Sequence, residues 1–425
     1  VQKIIIKNFG PIKDAEIEIK KTLILIGEQA SGKSTIAKLI YFFRTLPEVI
    51  TIRLYSKYFF ENPTTKYIFN FDNDFIHPIK DSYNKFFGLS YNSPTSEITY
   101  SYDIKSNHFI NLSFDNSKNI SIKFSEFFFD KKLEEQISYT INDFKNVKKG
   151  NTGFVVDLTF WTGRNNLFRI VNDIFKLSIY NNSLFVIAGR NATVSYSNLF
   201  EKYLFADIEN RTSKTSYNND SKLREQTIDE SLMLEFIKKM EQIKRKFESN
   251  GGSFQSILDM KPKKHNNLGI INHILQKVKE ILKGAYFFDG SKEKITILDG
   301  ITVGLNDASS GQQESIRILQ DIFLSVIEQE KIFRVIEEPE SHLFPEAQKL
   351  LVELFAILVN AQVENELIIT THSPYVLTAY NNLLFANRVI QKNEALKAEV
   401  LDIVDEHCLL DSKDFSAYGL KIVQN

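Results

Sequence analysis

Residues 27–35 read Gly-Glu-Gln-Ala-Ser-Gly-Lys-Ser-Thr, which fits the spacing G-x-x-x-x-G-K-[S/T]. The chemistry such a loop performs is to grip a triphosphate. Gly27 and Gly32 let backbone N–H groups curl round the phosphates, and the N-terminus of a following helix adds partial positive charge. Lys33 supplies a point charge for the γ-phosphate, and the Ser34 hydroxyl is placed to bind Mg²⁺. Gln29, Ala30, Ser31 and Thr35 complete the candidate nucleotide contacts. The motif works only between a strand and a helix. The apolar run Leu23–Ile26 supplies the one, and the spacing from Ser34 to Phe43 supplies the other. ATP or GTP binding follows.

A second set of residues lies far along the chain. Ser309-Ser310-Gly311-Gln312-Gln313 opens a helix expected through Val326. An apolar strand, Ile332–Ile336, then ends in Glu337-Glu338-Pro339-Glu340-Ser341-His342-Leu343. Two carboxylates at a strand end suit a Mg²⁺-dependent triphosphatase, in which one acid orients the metal hydration shell and its neighbour polarises the attacking water. A further strand, Leu367–Thr370, delivers Thr371-His372-Ser373-Pro374.

In this order the four motifs resemble the ABC-type ATPase heads of the SMC/RecF/OLD group, and among them the OLD-like and PtuA-like ATPases of bacterial anti-phage systems. The resemblance covers residues 1–45 and roughly 285–390 well and the middle in outline, where Ile187-Ala188-Gly189-Arg190 is similar to an Ile-Pro-Ala-Gly-Arg segment of such ATPases. It implies ATP with Mg²⁺ as ligands. Gly32 and Lys33 would hold the phosphates, and Ser34 and Glu337 the metal, with Glu337 acting through water because Asp is usual there. Glu338 would be the catalytic base and His372 the switch histidine. Ser310, Gly311 and Gln312 would form a signature motif that completes the site across a head-to-tail homodimer or higher even oligomer, with Ser341 and His342 on the loop between the two sites. Three departures stand out. Gln312 replaces a glycine common in transporter ATPases. No glutamine lies between Gln29 and Gln136 to serve as a metal-contacting Gln loop. Only about fifty residues follow His372, too few for the Toprim nuclease of OLD proteins despite the acidic Asp402, Asp405 and Glu406.

The elements that must position these residues make an α/β head. Residues 2–7 and 14–19 are strand-like across the turn Asn8-Phe9-Gly10-Pro11. Ile98/Tyr100/Tyr102/Ile104, Ile110/Leu112/Phe114 and Ile120/Ile122/Phe124 alternate strictly, which predicts an antiparallel meander with one buried face. Residues 132–148 and 165–179 read as helices, Ser183–Gly189 as a buried strand, and the polar tract 208–222 as a mobile loop. Met233, Phe236, Met240, Ile243 and Phe247 predict an amphipathic helix, and Ile271, Ile274, Leu275, Val278 and Ile281 a second, together a hairpin or short arm projecting from the head. The expected organisation is an N-terminal ATPase lobe over 1–205, an inserted loop and helical hairpin over 206–284, and a C-terminal ATPase lobe over 285–425.

Composition narrows the partners. Lys plus Arg (52) balances Asp plus Glu (53), so a nucleic-acid site has to be a local patch. Lys238, Lys239, Lys244, Lys246, Lys261, Lys263 and Lys264 form such a concentration, either a solvated helix face or a phosphate-backbone surface. The single cysteine, Cys408, excludes an intramolecular disulfide and fits a reducing cytosol, and the pair His407-Cys408 reads as structural. No apolar run reaches bilayer length, and a cytoplasmic location is expected. The abundant Phe, Asn, Lys and Ile fit an AT-rich genome better than a base-stacking surface. The chain starts at Val1 and ends at Asn425 on what reads as an unfinished strand, so native C-terminal residues are expected beyond it. The leading functional expectation is a dimerising ATPase that is sensor or scaffold of an anti-phage system and controls a separate nuclease or toxin. The alternative is a RecF- or SMC-like repair or chromosome-maintenance ATPase that binds DNA directly. An ABC transporter subunit fits poorly, given the long insertion and the missing Gln loop.

Overall fold

A computed structural model describes residues 1–60, 66–88, 91–150, 154–178, 182–191, 194, 228–260, 268–297 and 300–421. The chain divides into two compact units, Val1–Ile19 with Ala30–Ile179 and Gln226–Ile228, and Lys20–Gln29 with Tyr180–Glu225 and Asp229–Asn425.

In the first unit β1 (Gln2–Phe9) and β2 (Ile12–Ile19) pair with each other and join the expected meander, β4 (Glu97–Asp103), β5 (His108–Phe114) and β6 (Ile120–Phe124). All five strands are antiparallel, in the order β2-β1-β4-β5-β6. The alternating residues Ile98, Tyr100, Tyr102, Ile110, Leu112 and Phe114 are buried as predicted, while Ile104 at the strand end is exposed. Helices α1 (Lys33–Phe60), α2 (His77–Phe87), α3 (Lys131–Gly150) and α4 (Phe154–Phe175) complete the unit.

Helix α1 runs well past Phe43, where the sequence reading ends it, and passes through Pro47. A helical proline leaves the carbonyl four residues earlier without its donor. Here that carbonyl belongs to Phe43, and the buried Tyr102 hydroxyl donates to it at 2.9 Å. The helix survives its proline because a strand residue supplies the missing bond.

The second unit holds a parallel sheet in the order β13-β3-β12-β11-β7. Its strands are β3 (Thr22–Gly27), β7 (Asn182–Val186), β11 (Ile332–Glu337), β12 (Glu366–Thr371) and β13 (Phe415–Leu420). The apolar runs of β11 and β12 are buried, as a parallel sheet covered on both faces requires. Around it lie α5 (Ile228–Ser249), α6 (Phe254–Met260), α7 (Leu268–Leu282), α8 (Ser310–Ile327), α9 (Pro345–Asn360), α10 (Pro374–Lys392) and α11 (Lys397–Leu401). A three-stranded antiparallel sheet, β10-β9-β8, is formed by Thr302–Gly304, Glu293–Ile297 and Gly284–Phe288.

The predicted amphipathic helices are α5 and α7, and both are docked instead of projecting. Phe236, Met240, Ile243 and Phe247 of α5, and Ile271, Ile274, Val278 and Ile281 of α7, belong to one core with Ile316, Ile322 and Leu354. Lys239, Lys244 and Lys246 pair with Glu330, Glu241 and Glu328. The tract 208–222 and Lys261, Lys263 and Lys264 lie outside the described residues.

His108 gives the first unit a pH signature. Its ring is fully buried, stacks on Phe128 at 4.3 Å and has Nε2 2.7 Å from the Ile174 carbonyl. Burial lowers its pKa to about 4, against the opposing bond to Ile174 and with Lys176 and Asp103 as weaker influences. The unfolded chain, with an ordinary histidine near 6.5, therefore binds the proton first as pH falls. Stability carried by neutral His108 is complete above about pH 6.5 and is lost progressively towards pH 4. Thermal unfolding followed from pH 7.5 to 4.5 should show a falling midpoint. His108→Phe should flatten that fall, and an unchanged slope would assign it to other groups.

Candidate functional site

The parallel sheet gathers the candidate residues at one edge. In the registers Ile26↔Thr371, Leu25↔Thr370 and Thr370↔Glu337, strands β3, β12 and β11 finish side by side. Their ends release Gly27-Glu28-Gln29, His372 and Glu338, so three of the four motifs start from the carboxyl edge of one sheet, where open α/β sheets bind ligands.

From Ala30 the phosphate loop belongs to the first unit. Ala30 (φ 61°) and Gly32 (φ 91°) are both left-handed and flank buried Ser31, a backbone form that turns N–H groups inward as an anion cradle. Gly32 is dictated twice over, because a Cβ there would also meet Ile12 Cγ1 at 2.9 Å. Lys33 opens α1 with its side chain buried, Ser34 is exposed and Thr35 half-buried.

The turn after β11 is held by several bonds. Glu338 is left-handed (φ 43°), a conformation that costs a non-glycine residue on the order of 1–3 kcal/mol. Its N–H donates to the Thr370 carbonyl at 2.8 Å, and its Oε1 lies 2.8 Å from His372 Nε2. The two side chains assigned to catalysis from sequence are thus in direct contact, each about one-third exposed. Glu337 is buried.

Three residues given no role from the sequence brace this turn. Glu340 Oε1 accepts from the Thr371 hydroxyl at 2.6 Å and the His372 N–H at 2.9 Å, tying the two strand ends together. Gln348 donates to the Leu343 carbonyl and accepts from the Ser373 hydroxyl. Arg190, wholly buried, donates through Nη1 to the Glu337 carbonyl at 2.7 Å and through Nη2 to the Glu338 carbonyl at 3.0 Å. Its Nε is 3.2 Å from Glu314 Oε2. Burial draws its pKa below the usual guanidinium value, against the pull of Glu314, Glu340, Glu337 and Glu338, yet a guanidinium stays protonated. The glutamate after the proline of Glu-Glu-Pro-Glu is the visible signal for Glu340. No local pattern announces the others.

The signature segment lies at the start of α8. Ser309 is the N-cap, and Gln312 completes a capping box, its Oε1 accepting from Ser309 and its Nε2 donating to the Leu282 carbonyl. These bonds commit the Gln312 side chain to the helix end. Ser310 is exposed, and Gly311 abuts the next motif so closely that a Cβ would lie 2.7 Å from the His342 carbonyl. His342 itself is exposed and left-handed (φ 61°).

The donor chemistry suits Mg²⁺, since Ser34 and Glu337 offer oxygen only. Glu340 Oε2, buried without a hydrogen-bond partner beside the turn, fits a site that receives further donors with its ligand. Among the described residues there is no group of three His, Cys, Asp or Glu side chains able to hold a metal by themselves. Asp405 instead caps the turn at His407 and pairs with His273, and Cys408 is buried with Sγ towards the Glu353 carbonyl.

The sequence of a family described as an AAA ATPase domain matches residues 1–377. The chain belongs to that AAA ATPase family. It is an ATP-hydrolysing enzyme with an α/β ATPase fold. Solved structures similar to this ATPase include the SMC head domain from Thermotoga maritima (10% identity, 89% of this chain and 90% of that one, TM-score 0.33). They also include an Smc head domain with an extended coiled coil bound to the C-terminal domain of ScpA, from Pyrococcus furiosus (12%, 89% and 90%, TM-score 0.35). A third is the recombination mediator RecF (12%, 88% and 93%, TM-score 0.30). No curated protein sequence matches the chain. Among the described residues, no helix is long and apolar enough to cross a membrane.

Glu338→Gln keeps the shape of the turn and its contact with His372 while removing the carboxylate charge. ATP affinity should stay within about twofold of wild type, and kcat should fall by about 10²- to 10⁴-fold. Steady-state phosphate release beside equilibrium nucleotide binding measures both, and unchanged release would place the base elsewhere.

Proposed function

We propose that this ATPase is a nucleotide-driven switch that closes as a head-to-tail dimer on ATP and opens on hydrolysis. The observation that carries the reading is the contact of His372 with Glu338 at the sheet edge from which β3 releases the phosphate loop. A γ-phosphate at the end of β3 competes for His372 Nε2, and Glu338 then polarises the attacking water. Ser34 and Glu337 would hold Mg²⁺, which would supply charge neutralisation on the phosphate oxygens.

Closure by a second copy is supported by the N-terminus of α8, where Ser310 and the helix dipole are presented outward to an anion. Large apolar side chains flank the same motifs: Phe344 is 77% exposed just after Leu343, and Tyr375 is 56% exposed just after Ser373-Pro374. A partner surface that covers them gains apolar burial. Gly27, Gln29, Ala30, Ser31 and Thr35 then line the phosphates of one nucleotide, while Ser310 and Gly311 cap the nucleotide of the other copy.

The switch serves a cytoplasmic defence system, acting as sensor or scaffold for a separately encoded effector such as a nuclease. This part of the proposal rests on Glu337-Glu338-Pro339-Glu340-Ser341-His342-Leu343 and Ile187-Ala188-Gly189-Arg190, the segments similar to OLD-like and PtuA-like ATPases. Co-purification of a nuclease with the native chain supports it. Binding to bare duplex DNA with a steep salt dependence would favour a RecF-like clamp instead.

Mixing Lys33→Ala chains with Ser310→Arg chains tests the composite site. Each variant alone lacks both sites, whereas a heterodimer regains one, so an equal mixture should show turnover that neither variant shows alone, at most about a quarter of wild type if copies exchange as twofold dimers. Failure to recover any activity would show that each copy completes its own site.

A further inference from the structure

Arg190 stands apart from the groups that would touch nucleotide, yet its side chain bonds both to the helix that starts at Ser310 and to the Glu338 turn. On one side it takes Glu314, one turn into the helix that presents Ser310, through the carboxylate at 3.2 Å and the Glu314 carbonyl at 3.3 Å. Its own N–H donates to the same carboxylate at 3.1 Å. On the other side it holds the carbonyls of Glu337 and Glu338, at the residue whose left-handed backbone sets where the base carboxylate goes. Both Arg190 and Glu314 are almost completely removed from solvent, at 0% and 2% exposure. A planar fork of five donors meets this set of acceptors, and an ammonium group does not. Gly311 against the His342 carbonyl makes a second, steric link between the same two segments.

We infer that Arg190 is a positioning residue that transmits the state of the Ser310 helix to the Glu338 turn of the same chain. The inference rests on the composite-site reading above. In a head-to-tail dimer Ser310 caps one nucleotide and Glu338 serves the other, so the Glu314–Arg190–Glu338 path joins the two ATP sites through each copy. Capture of a γ-phosphate at Ser310 shifts α8, the shift moves Glu314, and Arg190 carries it to the carbonyl that fixes the base. The two sites then fire together, and a dimer with one site filled turns over slowly.

The test is a double-variant cycle on the full chain with Arg190→Lys, Ser310→Ala and both together. It reads kcat, ATP affinity and thermal midpoint, with Glu314→Gln as a second route into the same link. Arg190→Lys should keep ATP affinity within about twofold and lower kcat by about tenfold to a hundredfold through misplacement of the base. Its dependence of rate on ATP should lose cooperativity. Because residues acting as a unit are not additive, the double variant should be no slower than the slower single one. Multiplied losses, with Ser310→Ala alone impaired, would overturn the inference and leave the composite site standing. An unimpaired Ser310→Ala would instead overturn the composite site. Failure of both Arg190→Lys and Glu314→Gln to fold would also count against the inference, by making the pair a structural one.

Discussion

The turn after β11 depends on one buried guanidinium. The backbone after β11 must leave the sheet, reverse at a left-handed glutamate and still present that glutamate to His372. Its carbonyls cannot find sheet partners while doing so, and Arg190 supplies donors to two of them in succession. Burying such a charge is unfavourable without Glu314, and removing one partner of a pair of this kind typically costs about 3–5 kcal/mol. The position of the Glu338 carboxylate is therefore bound up with the integrity of α8, the helix that starts at Ser310.

A similar economy of means recurs round the sheet edge. Glu340 bonds the Thr371 hydroxyl and the His372 N–H with one oxygen, so β11 and β12 cannot drift apart at their ends without losing both. Gln348 does the same for Leu343 and Ser373. Glu338 and His372 are left about one-third exposed, while Arg190, Glu340 and Gln348, which place them, are buried. Preorganisation of this kind lets a loop residue hold a reactive geometry that the loop alone could not maintain.

What was legible in the sequence was whatever is decided locally. The phosphate loop could be read because its glycines, lysine and hydroxyl act within nine residues, and β4–β6 because alternation over seven or fewer residues fixes which face is buried. The true length of α1 could not be read, since its passage through Pro47 depends on the bond between Tyr102 and Phe43, 59 positions apart. An amphipathic stripe says that a helix face is covered but not by what, so α5 and α7 look like an arm until α8 and the core are seen against them. Arg190 was visible as part of a resemblance and silent as to its work. Its partners Glu314, Glu337 and Glu338 lie 124, 147 and 148 positions along the chain.

The central claim is that nucleotide occupancy becomes a change of assembly, because each chain grips one triphosphate and caps another. A structure of the protein with a non-hydrolysable ATP analogue and Mg²⁺ tests it most directly. The account predicts each analogue seated between Lys33 of one copy and Ser310 of a second, with Glu338 of the first beside the γ-phosphate. Analogues enclosed by a single copy, with Ser310 of every other copy remote from them, would contradict it.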